Sequence, residues 1–307
     1  MRDVIIIGSG PAGMGAAIYG KRAGLDTLVL EATGMSGGQV TQTYEVDNYL
    51  GLPGVNGFDM AMTFQAHVEK LGADFSMGEV TGIEKKEDYF KVITTESSYE
   101  TKTVILATGA SHNKLGVPGE EEFAGRGVSY CATCVGAFFK EKTTMVVGGG
   151  DVAIEDAIFL ARGCKKVYLV HRRDELRGAK ILQNRLLELP NVEIIWDSVV
   201  EEIQGEELVE QVKILNRKSG EKKQVKVDGI FIAVGIHPNT ESFSDLVVTD
   251  SRGYIVAGEN CETSVPGVFV AGDTRTKELR QIITAVADGA NAISSVQKYL
   301  LGWESTL

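Results

Sequence analysis

Short runs of consecutive apolar residues recur along this chain, and each ends in glycine. Val4 to Ile7 precede Gly8, Thr103 to Ala107 lead to Gly109, Met145 to Val147 precede Gly148, Gly229 to Val234 lead to Gly235, and Val268 to Ala271 precede Gly272. Uninterrupted apolar runs of this length predict strands buried on both faces, as in a parallel sheet. Between them the period changes to that of helices. An Ala-rich stretch follows Gly13, Phe58 to Leu71 repeats apolar positions at helical spacing, Ile181 to Leu189 does the same, and a long Ala-rich helix fills the end of the chain. Further strands are predicted near Val80, Val92, Val192, Val212 and Val225. Strands alternating with helices predict an α/β fold.

The pattern also repeats. Residues 4–31 read strand, glycine turn, helix, strand (Thr27 to Leu30), acid, and residues 144–173 align with them without a gap at an offset of 140. Gly8, Gly10 and Gly13 form G-x-G-x-x-G, with Pro11 and Ala12 inside it; Gly148, Gly150 and Ala153 are their counterparts, with Asp151 opening the second helix. In such a turn the first glycine allows the tight bend and the second lets backbone approach a pyrophosphate. The third lets the helix pack on the strand, and the helix N-terminus faces the phosphates. The two copies differ after the second strand. Glu31 ends it in the first copy, where an acid accepts a ribose hydroxyl and repels a 2′-phosphate, which suits FAD or NAD. His171, Arg172 and Arg173 stand there in the second, which suits NADP, and Arg177 lies one turn further on if that stretch is helical. Two nucleotides in one chain suggest electron transfer between a nicotinamide and a flavin.

Composition narrows the picture. Net charge is −11 over 307 residues, against nonspecific hold on nucleic acid or an anionic membrane. No apolar run approaches a membrane span, and the four at the N-terminus are too few for a signal-peptide core, so a soluble cytoplasmic protein is expected. The 36 glycines exceed the average of about 7% while prolines number only 6, which places the glycines inside folded structure.

Four cysteines are too few for a disulfide scaffold. Cys131-Ala-Thr-Cys134 is a C-x-x-C. Zinc usually needs a second such pair, so no metal is expected and a redox dithiol is the reading, its thiolate favoured by a helix start. Cys164 reads as a buried structural thiol, and Cys261 falls in a polar loop with no assigned role. Asp273, after the strand ending at Gly272, suits a hydrogen bond to a flavin ribityl or phosphate group, or a helix cap.

Taken together, GSGPAG (Gly8 to Gly13), GGQ (Gly37, Gly38, Gln39), ATG (Ala107, Thr108, Gly109), CATC, GGGDVA (Gly148 to Ala153), HRRDELR (His171 to Arg177), and AGD with the later Arg280-Gln281 resemble the low-molecular-weight, bacterial-type thioredoxin reductase family over essentially the whole chain. The C-x-x-C just before the second glycine turn separates it from glutathione-reductase-like enzymes, which are longer and carry their cysteines after the first. The resemblance implies two Rossmann-like domains, the second inserted in the first: FAD-binding pieces at 1–113 and 246–307 around an NADPH-binding domain at 114–245. It implies a homodimer, and electron flow from NADPH to FAD, to the Cys131–Cys134 disulfide, to thioredoxin, with domain rotation about linkers at 110–118 and 236–245. Cys134 is implied to face the flavin and Cys131 to attack thioredoxin.

One position departs from the family. An aspartate that protonates the departing thiolate usually follows the second cysteine; here it is Val135. Glu155, Asp156 or water are the possible substitutes. The departure keeps two other readings open, a dithiol oxidase and a redox-sensing flavoprotein, although Arg172, Arg173 and Arg177 argue against an oxidase that has no need of NADPH. A ferredoxin–NADP reductase lacks the cysteine pair.

Overall fold

A computed structural model describes residues 1–43, 46 and 48–304. The chain forms two compact units. One is built from Met1–Thr41, Tyr49–Ser111 and His237–Leu307, the other from Gln42–Asn48 and His112–Ile236.

The first unit opens with β1 (Arg2–Ile7), α1 (Pro11–Arg22) and β2 (Thr27–Glu31). Then come α2 (Gly57–Lys70), β3 (Asp74–Met77), β4 (Val80–Lys85), β5 (Phe90–Thr94) and β6 (Ser98–Leu106). Strands run in the order β3-β2-β1-β6, all parallel, with β5 and β4 continuing antiparallel beyond β6. Val4, Ile5 and Ile6 of β1 are fully buried, consistent with a strand covered on both faces. Each buried side chain of this size contributes about 1.5–3 kcal/mol.

After β7 (Ala110–His112) the second unit contains β8 (Val128–Ser129), α3 (Ala132–Val135), β9 (Thr143–Gly148), α4 (Asp151–Ala161), β10 (Lys166–Val170) and α5 (Lys180–Leu187). It continues with β11 (Val192–Ile195), β12 (Ser198–Gly205), β13 (Val209–Asn216), β14 (Lys222–Lys226) and β15 (Gly229–Ala233). Its parallel sheet has the order β11-β10-β9-β15-β8, and β12-β13-β14 form an antiparallel meander. Strand β16 (Ile236–Pro238) pairs with β7, so the two connecting segments are tied to each other. The chain then returns to the first unit with β17 (Val268–Val270), which pairs with β6, and α6 (Ile282–Glu304).

Helices α1 and α6 meet backbone to backbone. A Cβ at Gly15 would lie 2.8 Å from the Val286 carbonyl oxygen, and one at Gly289 would lie 2.3 Å from that of Ala12. No side chain fits, which explains glycines in the interior of helices that otherwise disfavour them. Among the described residues no helix is long and apolar enough to cross a membrane. Overpacking a close-packed contact costs about 1–3 kcal/mol. Gly289→Ala is therefore expected to lower the melting temperature by several degrees. Gly82→Ala, whose Cβ meets open space, is the control. Equal melting curves for the two variants would contradict the packing described.

Candidate functional site

Each unit places one glycine turn at the end of a central strand. In the first, β1 ends at Ile7 and α1 begins at Pro11, where the missing N–H costs no helical bond. Gly8 has φ +103°, and a Cβ there would lie 2.5 Å from the Ala107 carbonyl oxygen. A Cβ at Gly13 would lie 1.9 Å from the Gly8 carbonyl oxygen, so helix and turn close on each other. Gly10 is different: its missing side chain leaves open space.

Other parts of the unit converge on this turn. The Gly37 N–H donates to Ser9 O at 2.9 Å, which seats Gly38 against Gly10. The Gln39 side-chain amide donates to the Ala110 carbonyl. Thr108 donates through its hydroxyl to Asn239 O at 2.6 Å, and Asn239 N–H returns to Gly109 O at 3.0 Å. Gly272 abuts Ala12. Glu31 accepts from Ser9 N–H and hydroxyl and from Thr33 N–H and hydroxyl. Burial raises the Glu31 pKa, but these hydrogen bonds outweigh it and hold the carboxyl below its usual range.

Asp273 is not a helix cap, because α6 starts nine residues later at Ile282. Its Oδ1 is buried with no hydrogen-bond partner among the described residues, and burial raises its pKa. A buried acceptor without a donor is costly and suits a hydroxyl-bearing ligand. Arg280 is held over the Tyr254 ring at 4.1 Å and donates to Asp273 O and Arg275 O. Gln281 immediately precedes α6, its carbonyl accepting from Ala285 N–H. The open face at Gly10, the anionic Glu31 and the unpartnered Asp273 fit a flavin dinucleotide with its pyrophosphate at the turn.

The second unit repeats the construction. A Cβ at Gly148 would lie 2.4 Å from the Ala233 carbonyl oxygen and 2.6 Å from Ala153 Cβ, and Gly150 again faces open space. Asp151 accepts from the Ala179 N–H at 2.7 Å. His171 is buried, and a Cβ at Gly149 would strike its ring. Burial first, then the nearby Arg177, lowers the His171 pKa, so the ring is neutral at pH 7. The stretch 171–179 is not helical, so Arg177 does not follow Arg173 by a helical turn; α5 begins only at Lys180. Arg177 is instead held at the turn by its own N–H, which donates to Gly149 O at 2.8 Å. Arg172, Arg173 and Arg177 are exposed, and among the described residues none forms an ion pair. Three uncommitted guanidinium groups beside the turn fit a nucleotide with an extra phosphate.

Cys131 and Cys134 form a disulfide. Both are half-buried. The helix they bracket, α3, is a single turn that passes into a 3-10 turn at Gly136–Phe139, so the expected help from a helix dipole is small. The unit holds α3 by packing. Ala132 and Val135 join the apolar cluster of α4, and Gly136 abuts Phe159 and Leu160. Asp156 lies one turn before these two on the same side of α4. Burial and the neighbouring Glu155 push its pKa up to about 7. Glu155 itself is exposed. Among the described residues no group of three His, Cys, Asp or Glu side chains could hold a metal.

Cys164 is buried. Cys261 is also buried, although a polar loop was expected, and its Sγ donates to Asp288 O at 3.5 Å. Burial pushes its pKa up to about 12. The network around Asp288, with Arg275 and Lys277, was not anticipated from sequence; the signal was a single acid inside the apolar, Ala-rich start of α6.

The pyridine nucleotide-disulphide oxidoreductase family model matches residues 2–289. A thioredoxin reductase of Listeria monocytogenes is 46% identical over 299 residues, covering 97% of this chain and 93% of its own. One of Bacillus subtilis is 44% identical over 306 residues, covering 99% and 96%. The crystal structure of thioredoxin reductase from Streptococcus pyogenes superposes with a TM-score of 0.93 at 49% identity, covering 98% of this chain and 99% of that one.

The Asp156 carboxyl supplies a test. Its folded pKa of about 7 lies above the ordinary 3.8, so its contribution to stability is fully present below pH ~4 and is lost as pH rises through 7. Asp156→Asn should therefore gain in melting temperature over the parent at pH 8 by a few degrees, with the gain vanishing near pH 4. A difference independent of pH would contradict this placement.

Proposed function

We infer the reaction from one premise: the chain belongs to the pyridine nucleotide-disulphide oxidoreductase family. It is an NADPH-dependent thioredoxin-disulfide reductase that uses FAD. The observation that carries this is the Cys131–Cys134 disulfide in a chain with two glycine turns, one followed by a carboxylate and the other by three unpaired arginines.

The first unit is proposed to hold FAD. The Gly8–Gly13 turn with Pro11 and Ala12 receives its pyrophosphate, Glu31 a ribose hydroxyl and Asp273 a ribityl hydroxyl. Gly38, Gln39, Thr108, Gly109, Gly272, Arg280 and Gln281 shape the surrounding loops. The second unit is proposed to hold NADPH, with Gly148, Gly150, Asp151 and Ala153 at the pyrophosphate and His171, Arg172, Arg173 and Arg177 around the 2′-phosphate. FAD, when bound, supplies the transfer of two electrons from the nicotinamide to the disulfide.

The chain's own chemistry then follows from the cysteines. Reduction of the Cys131–Cys134 bond takes two electrons and two protons and leaves a dithiol. The Cys131 thiolate attacks one sulfur of the thioredoxin disulfide, and the displaced thioredoxin thiolate takes a proton. Cys134 then attacks Cys131 in the mixed disulfide, which releases dithiol thioredoxin and restores the bond. Val135 cannot move a proton in this sequence. Asp156, with a pKa near neutrality and on the side of α4 where α3 packs, is the better placed of the two α4 carboxyls to do so. The paired segments β7 and β16 are proposed as the hinge for domain rotation. A homodimer and a cytoplasmic location complete the reading.

NADPH-dependent turnover on a thioredoxin disulfide tests it directly. Arg172→Ala should weaken NADPH at least tenfold more than NADH in kcat/KM; equal losses would show that the arginines do not read the 2′-phosphate. Val135→Asp should raise disulfide turnover, within the roughly 10²–10⁴-fold that acid–base assistance supplies. Unchanged turnover would show that proton delivery is not limiting.

A further inference from the structure

We infer that Asp288 is a positioning residue for the flavin subsite, acting through Gly272 and the Asp273 that follows it. The inference rests on the reading of the first unit as the FAD-binding one. Asp288 lies in the second turn of α6, buried, and both oxygens of its carboxylate are hydrogen-bonded. Oδ2 accepts from Gly272 N–H at 2.9 Å, Arg275 Nε at 2.9 Å and Lys277 Nζ at 2.8 Å, while Oδ1 accepts from Arg275 Nη2 at 2.7 Å. Three donors converge on Oδ2 and one on Oδ1, a dense set of charge-assisted bonds for one carboxylate.

The partners are buried too. The Arg275 and Lys277 side chains are 2% and 7% exposed. Arg275 also donates to the carbonyls of Ala257 and Thr276 and to Glu259, and Cys261 donates its thiol to the Asp288 carbonyl. The Asp288 carboxylate thus joins the end of β17 to the 275–277 loop, and Arg275 and the Asp288 main-chain carbonyl carry the connection on to the 257–261 segment. Its base cannot shift, because the next residue, Gly289, meets the backbone of α1 at Ala12 and Ala16. Gly272 is therefore fixed against Ala12 from one side by van der Waals contact and from the other by a charge-assisted hydrogen bond.

Asp273, attached to this clamp, is the residue with an unpartnered buried oxygen. Its electrostatic surroundings come from the same group: Lys277 and Arg280 favour its charged form, and Asp288 opposes it. Asp288 thus sets both where Asp273 stands and how much positive charge surrounds it. A side chain that only stabilised α6 would have no reason to bond the residue before Asp273.

The test is Asp288→Asn in the flavin-loaded protein. The substitution removes the charge from the acceptor of the Gly272 N–H and from the group that holds Arg275 and Lys277. FAD dissociation, followed by recovery of free-flavin fluorescence on dilution, should give a Kd at least tenfold weaker. The visible circular dichroism of the bound flavin should change, while affinity for 2′,5′-ADP in the second unit stays within twofold. FAD affinity within twofold of the parent, with an unaltered flavin spectrum, would overturn the inference even if the melting temperature fell. Should Asp288→Asn fail to fold, Lys277→Met removes one cation and leaves the Gly272 bond; about threefold weaker FAD binding is expected, and unchanged binding and spectrum overturn the inference. A parent protein that binds no FAD at all would overturn the functional reading, and this inference with it; parent binding with an unaffected variant overturns this inference alone.

Discussion

The structure depends on how closely two stretches of backbone approach at the head of each central strand. In the first unit Gly8 sits against the Ala107 carbonyl, with 2.5 Å between that oxygen and where a Cβ would be; in the second Gly148 sits against the Ala233 carbonyl at 2.4 Å. Neither site admits any side chain. The approach brings the ends of two neighbouring parallel strands together beside the start of a helix, the place where ligands bind in open parallel sheets. Gly10 and Gly150 then leave open space at the helix N-terminus, the kind of place that suits a phosphate group. Everything that distinguishes the two nucleotides is attached outside this shared frame.

Much of that frame was legible in the residues. Apolar runs ending in glycine located β1, β6, β9, β15 and β17, because a strand buried on both faces has no polar positions to hide it. The offset of 140 holds in space: both turns use the same contact with the end of a neighbouring strand. Less legible were the short strands β7, β8 and β16. Their identity comes from pairing partners far along the chain, as when Ala110–His112 and Ile236–Pro238 meet. Spacing also misled at 171–177. Arginines four apart suggested a helical turn, yet the segment is tied to the glycine turn by a backbone bond from Arg177 to Gly149. Cys261 reads as part of a polar loop because its neighbours are polar, but its own thiol points to the carbonyl of a buried helix.

Charge is managed differently at the two turns. The first unit pairs it internally: the half-buried Glu31 accepts from Ser9 and Thr33, and Asp288 with Glu259 faces two buried cations, Arg275 and Lys277. Each of these charges has hydrogen-bonding partners, the condition under which buried ions are tolerated. The second unit leaves Arg172, Arg173 and Arg177 in solvent, with no carboxylate partner among the described residues. The cysteine pair lies in the unit with the exposed arginines, on a single helical turn held by apolar contact with α4. Packing holds the disulfide there, and Asp156, on the side of α4 where α3 packs, has its carboxyl pushed up to about 7 by burial.

The central claim is that electrons from NADPH arrive at the bond between Cys131 and Cys134. Alkylation of the protein after anaerobic addition of NADPH, with modified cysteines located by peptide mass, tests it most directly. The account predicts two new modified positions, Cys131 and Cys134, with Cys164 and Cys261 protected in the folded protein before and after. Loss of the flavin absorbance with neither Cys131 nor Cys134 becoming modifiable would contradict it.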